Sequence, residues 1–165
     1  PLRQLDEVRQ VARQGGVELL HFSTHGNLSS QSIDRSAIVL EDDELLPQDL
    51  RGEVVWGLRR ERPIVFLNAC HSARLGFSLT GLGGWAVHMI RDVRVSAFIG
   101  ALWEVHDELA ALFAQEFYNR LQAGETLAEA CYNARMHIRN LSPANSTWLA
   151  YTLYGDPNIR VAWGP

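Results

Sequence analysis

The chain has 165 residues, of which 47% are hydrophobic, and this suits one globular domain with a buried core and leaves no room for a second. Its formal net charge is −4 and it contains no run of basic residues, which argues against a nucleic-acid-binding surface. It also lacks a signal-peptide pattern and an apolar run of about 18 residues, so we predict neither export nor membrane insertion.

Cysteine usage indicates a reducing environment. The two cysteines, Cys70 and Cys131, are too few for the disulfide framework of a small secreted domain. We therefore expect a cytoplasmic protein. Because the sequence begins at Pro1 rather than at a methionine, we also expect residues 1–165 to be a single domain taken from a longer chain.

The first third of the chain predicts a helix, a strand and a hairpin. Residues 2–14 carry apolar side chains at helical intervals, and residues 17–24 read as a strand that leads to His25. In residues 37–46, two apolar runs flank four acidic residues, which predicts a β-hairpin with a solvated turn. A calcium loop is not favoured, since the spacing lacks the glycine and the distal glutamate that such a loop needs. Pro47 suits the first position of a following helix.

The residues 64–75 are the stretch around which we expect the chain to be organised. Ile64 to Leu67 read as a strand covered on both faces, and the chain then continues through Asn68 and Cys70. In open parallel sheets, ligands and reacting groups collect beyond the carboxyl ends of the strands, so Cys70 is a candidate nucleophile. The alternative is that Cys70 is a small buried residue, as most free cysteines are.

The second half predicts alternating helices and strands. We expect a helix from Leu82, a strand over residues 95–103, a helix from Asp107, a helix capped by Thr126 and Glu129, and a last strand over residues 148–154. The predicted inner faces of the last two helices are Leu109, Leu112, Phe113, Phe117 and Leu121, followed by Leu127, Ala130, Cys131, Ala134 and Ile138. This alternation predicts an α/β fold with a mainly parallel sheet, helices on both faces and a small β-hairpin insertion.

Two patterns in the sequence resemble cofactor sites, and one cluster of residues is basic. Residues 81–86 match the dinucleotide pattern G-x-G-x-x-A, but no strand immediately precedes them. His21 and His25 have the spacing of a helical metal pair, but on a strand they would lie about 13 Å apart, too far to share one ion. We therefore expect no metal and no cofactor, and a structural role for His21. The cluster of Arg59, Arg60 and Arg62 is expected to be a solvated helix end.

Five motifs occur in a fixed order along residues 17–161: HFSTHG, LNACHSA, ALWEVHD, FYNRLQAGETLAEA and WLAYTLYGDP. Together they resemble the CHAT domain, a branch of the caspase-like cysteine peptidases that also include separases and metacaspases. A histidine roughly 50 residues before the nucleophile is the caspase arrangement, which matches His25 and Cys70. The resemblance implies a three-layer caspase-like fold, with a further strand before the first helix.

The resemblance also implies a function. Such a domain would be a bacterial cysteine endopeptidase acting on protein or peptide substrates through a dyad of Cys70 and His25. The backbone amides of Gly26 and Cys70 would form the oxyanion hole. Tetratricopeptide-type or other sensor segments in the same chain, or a partner protein, would regulate it. The alternative is a catalytically weak or inactive caspase-like interaction module.

The chain departs from the family pattern at three positions. Ala73 replaces a glycine that follows the nucleophile, and His106 replaces an acidic residue of the family. Asn68 stands where Lys/Arg-cleaving relatives such as clostripain and paracaspases carry aspartate. We expect Asn68, Glu104 and Asp107 to contact substrate, and basic or uncharged residues to precede the scissile bond. For Asp107, a role as a helix N-cap is the alternative.

Overall fold

The computed structural model describes residues 4–23, 26–27, 37–68, 76–78 and 81–163. The helices are α1 (Leu5–Gln14), α2 (Glu53–Glu61), α3 (Trp85–Val87), α4 (Asp107–Gln122), α5 (Leu127–Leu141) and α6 (Thr147–Ala150). The strands are β1 (Leu19–Ser23), β2 (Gly26–Asn27), β3 (Ala37–Val39), β4 (Glu44–Leu45), β5 (Ile64–Asn68), β6 (Gly76–Ser78), β7 (Gly81–Gly83), β8 (Ala97–Ala101) and β9 (Tyr151–Gly155). A 3₁₀ turn covers Pro47–Asp49, and a π-helical turn, His88–Val93, continues α3.

The central sheet has the strand order β1-β5-β8-β9. Strand β5 pairs in parallel with both β1 and β8, and β9 pairs antiparallel with β8 at one edge. The predicted mainly parallel α/β sheet is therefore confirmed. The last strand is shorter than the predicted 148–154, because Trp148 to Ala150 lie in α6 and the strand begins at Tyr151.

Helices cover both faces of the sheet, and the pleat of β5 divides its side chains between two hydrophobic cores. Val65 and Leu67 face the core formed with α1, α2 and the α3 region. Ile64 and Phe66 face the core formed with α4 and α5. Because side chains alternate along a strand, a continuous apolar run is what a strand buried on both faces requires. The apolar run Ile64–Leu67 therefore accounts for the three-layer architecture, in which helices cover both faces of the sheet.

The predicted inner face of α5 is confirmed. Leu127, Ala130, Cys131, Ala134 and Ile138 are all buried. Thr126 and Glu129 form the predicted capping box, since the Glu129 amide donates to the Thr126 hydroxyl and the Thr126 amide donates to the Glu129 carboxylate. On α4 one prediction is wrong: Leu112 is 37% exposed, and Ala110 and Ala114 are buried beside Phe113 instead.

Two small hairpins lie outside the central sheet. The predicted hairpin is confirmed as β3 and β4, antiparallel around an acidic turn, and β2 extends it to three strands. Strands β6 and β7 form the second hairpin, and this corrects the prediction of a helix from Leu82. Helix α3 begins only after Gly84, which has φ 103°. Gly81, Gly83 and Gly84 explain why the helix does not begin at Leu82, because glycine is a poor helix former.

Pro47 begins the 3₁₀ turn as predicted, and the Asp49 carboxylate accepts a hydrogen bond from the Leu46 amide. Within the described ranges, none of the helices combines the length and the apolar character needed to cross a bilayer.

Candidate active site

The carboxyl ends of β1, β5 and β8 form one edge of the sheet. Ser23 at the end of β1 pairs with Asn68 at the end of β5, and Leu67 pairs with Gly100 of β8. His25 follows Ser23 by two residues in the sequence, and Cys70 follows Asn68 by two. His25, Cys70 and Ala73 lie outside the described residues, so the catalytic pair remains a prediction. The register nevertheless aligns the two strand ends from which both residues follow.

Asn68 is held by a hydrogen bond from a residue that sequence analysis did not identify. The Tyr151 hydroxyl donates to Asn68 Oδ1 at 2.6 Å. Tyr151 is fully buried at the start of β9, and its ring stacks on Phe113 with 3.9 Å between ring centroids and 10° between planes. The Arg135 guanidinium donates to the Tyr151 carbonyl oxygen. Asn68 is thus fixed by a neutral donor anchored in the second core.

His21 has a structural environment, as predicted. Its ring stacks on Phe66 with centroids 4.9 Å apart, and Nδ1 lies 2.8 Å from the Tyr118 hydroxyl. His21 keeps part of its surface exposed, but the packing of these rings removes water from one side of the imidazole and lowers its pKa, because desolvation disfavours the charged imidazolium. The same cause raises the pKa of Tyr118.

Among the residues that the structure describes, no group of three or more histidine, cysteine or carboxylate side chains could hold a metal ion.

Glu104 and Asp107 lie on the segment that leaves β8 at the same edge of the sheet. Both are exposed, and neither carboxylate has a hydrogen bond or ion pair with another described residue. Asp107 is the first residue of α4, whereas the N-cap is His106, so the N-cap alternative for Asp107 is wrong. The His106 amide donates to the buried Thr147 hydroxyl at 3.1 Å, which ties the segment to the start of α6.

Trp103 on the same segment is a further residue that the sequence did not single out. Its indole Nε1 is buried and has no acceptor in the part of the chain that the structure describes. A buried indole N–H normally has a partner.

Gly26, predicted to donate to an oxyanion, lies in β2 and pairs with Ile38 of β3. Its catalytic role stays a prediction.

The second cysteine is part of the core. Cys131 is 5% exposed on the inner face of α5. Burial raises the pKa of its thiol to about 11, because a thiolate would be stranded away from water, and the positive charge of Arg135 offsets this only in part. Cys131 is therefore a packing residue rather than a nucleophile.

The mainly parallel sheet, with its antiparallel edge strand and helices on both faces, resembles the solved structure of a cysteine proteinase. Gingipain R (RGPB), described as an Arg-specific cysteine proteinase, superposes with a TM-score of 0.66 at 13% identity, over 98% of this chain and 37% of its own. The chain thus spans little more than a third of that relative. The Saccharomyces cerevisiae separase–securin complex matches with a TM-score of 0.47 at 19% identity, over 64% of this chain and 7% of its own.

The sequence also matches a family. The CHAT domain model aligns with residues 3–156, so the chain belongs to the CHAT domain family. No curated protein sequence matches the chain.

Tyr151→Phe tests the anchoring of Asn68. The variant keeps the ring stacked on Phe113 and removes the hydroxyl, so we expect the free energy of unfolding to fall by about 0.5–1.5 kcal/mol, as for other neutral hydrogen bonds. Urea denaturation measures the change. Tyr132→Phe is the matched control, because Tyr132 is exposed on α5, and it should alter stability by less than about 0.5 kcal/mol. Equal stabilities of Tyr151→Phe and wild type would contradict the assignment.

The environment of Cys131 makes a second prediction. With a pKa of about 11, its thiolate fraction at neutral pH is on the order of one in 10⁴. A short iodoacetamide pulse on the folded protein should therefore leave Cys131 unmodified, as read by mass spectrometry, and labelling should begin only in denaturant or as the pH approaches 11. Labelling of Cys131 ahead of Cys70 in the folded protein would mean that the core is misassigned.

Proposed function

We propose that this chain is a cysteine endopeptidase domain that cleaves protein or peptide substrates through Cys70 and His25. The observation that carries the proposal is the parallel register of β1 and β5, in which Ser23 and Asn68 pair at the carboxyl edge. Each strand end precedes one member of the pair by two residues. Catalytic groups collect at this edge in open parallel sheets, and membership of the CHAT family supports the same assignment.

The proposed chemistry is acyl transfer. His25 takes the proton of the Cys70 thiol, and the thiolate attacks the peptide carbonyl carbon to form a C–S bond. The backbone amides of Gly26 and Cys70 stabilise the oxyanion. As the C–N bond breaks, His25 returns the proton to the leaving amine. Water then hydrolyses the thioester and regenerates the thiol.

The proposed specificity favours basic or uncharged residues before the scissile bond. Two observations support it: Glu104 and Asp107 are exposed carboxylates without a partner among the described residues, and both follow the strand beside β5. The gingipain is described as Arg-specific. Asn68 contributes no charge, and its Oδ1 already accepts one hydrogen bond from the Tyr151 hydroxyl. The charge preference therefore rests on the segment after β8.

The setting is also part of the proposal. We expect the domain to act in the bacterial cytoplasm, within a longer protein whose tetratricopeptide-type or other sensor segments, or a partner protein, control it. The interaction-module alternative is favoured by Asn68 and Ala73, which depart from the pattern of active relatives. In that case the same fold would serve as a docking platform without turnover.

Substitution of Cys70 and of His25 tests the proposed peptidase function. In the full-length protein that contains this chain, Cys70→Ala and His25→Ala should each lower kcat/KM for peptide substrates by at least about 10³-fold, as removal of a nucleophile or its base does in other peptidases. Cleavage of a fluorogenic peptide library is the measurement. Cys131→Ala is the matched control and should retain activity. Undiminished cleavage by Cys70→Ala would reject the dyad.

The alkylation rate of Cys70 separates the two alternatives. A thiol paired with an imidazole reacts faster than an ordinary thiol with a pKa near 8.5, and it does so below neutral pH. If full-length wild type cleaves nothing in the library, and Cys70 reacts with iodoacetamide no faster than an ordinary thiol between about pH 6 and 8, the docking platform is the better description.

Charge substitutions test the specificity. Glu104→Gln with Asp107→Asn should lower kcat/KM for substrates with arginine before the cut by about 10-fold or more, since a charge-assisted hydrogen bond that the bound substrate shields from water contributes about 1.5–3 kcal/mol. Substrates with leucine there should change little. Asn68→Asp should act in the opposite direction. A library profile dominated by aspartate at that position would refute the preference.

A further inference from the structure

A second concave site lies at the opposite edge of the sheet. A cavity of about 620 Å³ opens beside the amino ends of β5 and β8, where Arg62 and Arg94 precede the two strands. Gly155 at the end of the antiparallel β9 pairs with Ala97 and also lines the cavity. The predicted catalytic pair follows the carboxyl ends of β1 and β5. An occupant of this cavity would therefore not compete with a peptide substrate.

Four arginines surround this cavity, which we call the basic cavity. Arg59 comes from α2 and Arg62 caps it, while Arg91 comes from the π-helical turn and Arg94 caps that turn. From the sequence, Arg59, Arg60 and Arg62 were expected to form a solvated helix end. In the structure, Arg59 and Arg62 instead line the same cavity as Arg91 and Arg94. Arg60 is engaged elsewhere, with its Nε donating to Glu61 at 2.8 Å.

The positive charge of the basic cavity is only partly compensated. Arg91 forms two hydrogen bonds to the Asp92 carboxylate, at 2.8 and 3.3 Å. Arg59 donates twice to the Asp92 carbonyl oxygen, which orients its guanidinium without neutralising it. The carboxylate in the lining is Asp156, which accepts the Asn158 amide at 2.9 Å. The four arginines of the lining thus have two carboxylates near them, Asp156 in the lining itself and Asp92 paired with Arg91.

Arg62 and Arg94 are the two arginines of the basic cavity whose guanidinium groups have no hydrogen bond or ion pair with another residue in the described ranges. Both residues have positive φ, 51° and 63°, and they are the two non-glycine residues with this conformation in the described part of the chain. Glycine is the usual residue at such helix ends. A strained conformation retained by two arginines around one cavity is a reason to seek a function for their side chains.

The shape and charge indicate the class of ligand. The cavity volume is within the range of small-molecule sites, and Ile90 and Val95 give it an apolar wall. Guanidinium forks bind phosphate oxygens in pairs. The whole chain has a net charge of −4, so its overall electrostatic field repels a large acidic partner. A compact anion inside the cavity lies close to the four arginines, and their local attraction outweighs this repulsion. We propose that the basic cavity binds a small molecule that carries two or more phosphate groups.

Inorganic triphosphate is the probe for this site. Isothermal titration of the 165-residue chain, with sodium chloride holding the ionic strength constant, should give saturable binding at one site per chain. Arg62→Gln with Arg94→Gln should weaken the affinity by at least about 10-fold, since two charge-assisted contacts are lost. Arg13→Gln with Arg51→Gln is the matched control, with the same charge change on exposed arginines outside the cavity, and it should leave the affinity within about twofold.

A second variant protects the test against misfolding. Arg62→Gly with Arg94→Gly removes both side chains and relieves the positive φ, so it should fold and also lose triphosphate binding. The proposal is overturned if triphosphate gives no saturable binding, or if the control pair weakens binding as much as the cavity pair. Citrate binding as tightly as triphosphate would also overturn it, because the site would then not distinguish phosphate groups from carboxylates, such as those of an acidic peptide.

Discussion

The parallel pairing of β5 with β1 on one side and β8 on the other is the constraint on which the remaining structure depends. It requires β5 to be buried on both faces, and the run from Ile64 to Leu67 satisfies this by alternating between the two cores. It also makes all three strands end at one edge. The strand ends Ser23 and Asn68 therefore lie side by side at this edge, where reacting groups collect in open parallel sheets.

The antiparallel strand β9 adds a contact that the parallel strands cannot make. Its first residue, Tyr151, begins at the edge where β8 ends, since Tyr151 pairs with Ala101. From there its hydroxyl reaches Asn68 at the end of β5. Stacking on Phe113 and the hydrogen bond from Arg135 hold the ring and backbone in position. The segment that precedes the proposed nucleophile is thus supported by the second core.

Among the described residues, the two edges of the sheet carry side chains of opposite charge. At the carboxyl edge, the segment after β8 presents Glu104 and Asp107 as exposed carboxylates. At the amino edge, four arginines surround the basic cavity. A basic peptide at one edge and a phosphate-bearing ligand at the other would therefore bind to separate surfaces. The strands β5 and β8, buried on both faces, connect the two edges.

The sequence by itself determined the fold class, the capped helix α5 and the apolar run of β5, because periodicity, capping and continuous hydrophobicity are local properties. It could not predict that Tyr151 contacts Asn68, 83 positions away, nor that two arginine pairs share one cavity. It also misplaced Leu82 and the start of β9, where glycines and a short helix override the apolar pattern. The contact of Tyr151 with Asn68 and the shared cavity were decided by tertiary structure, because contacts between distant segments depend on which strands become neighbours and on how those strands are aligned.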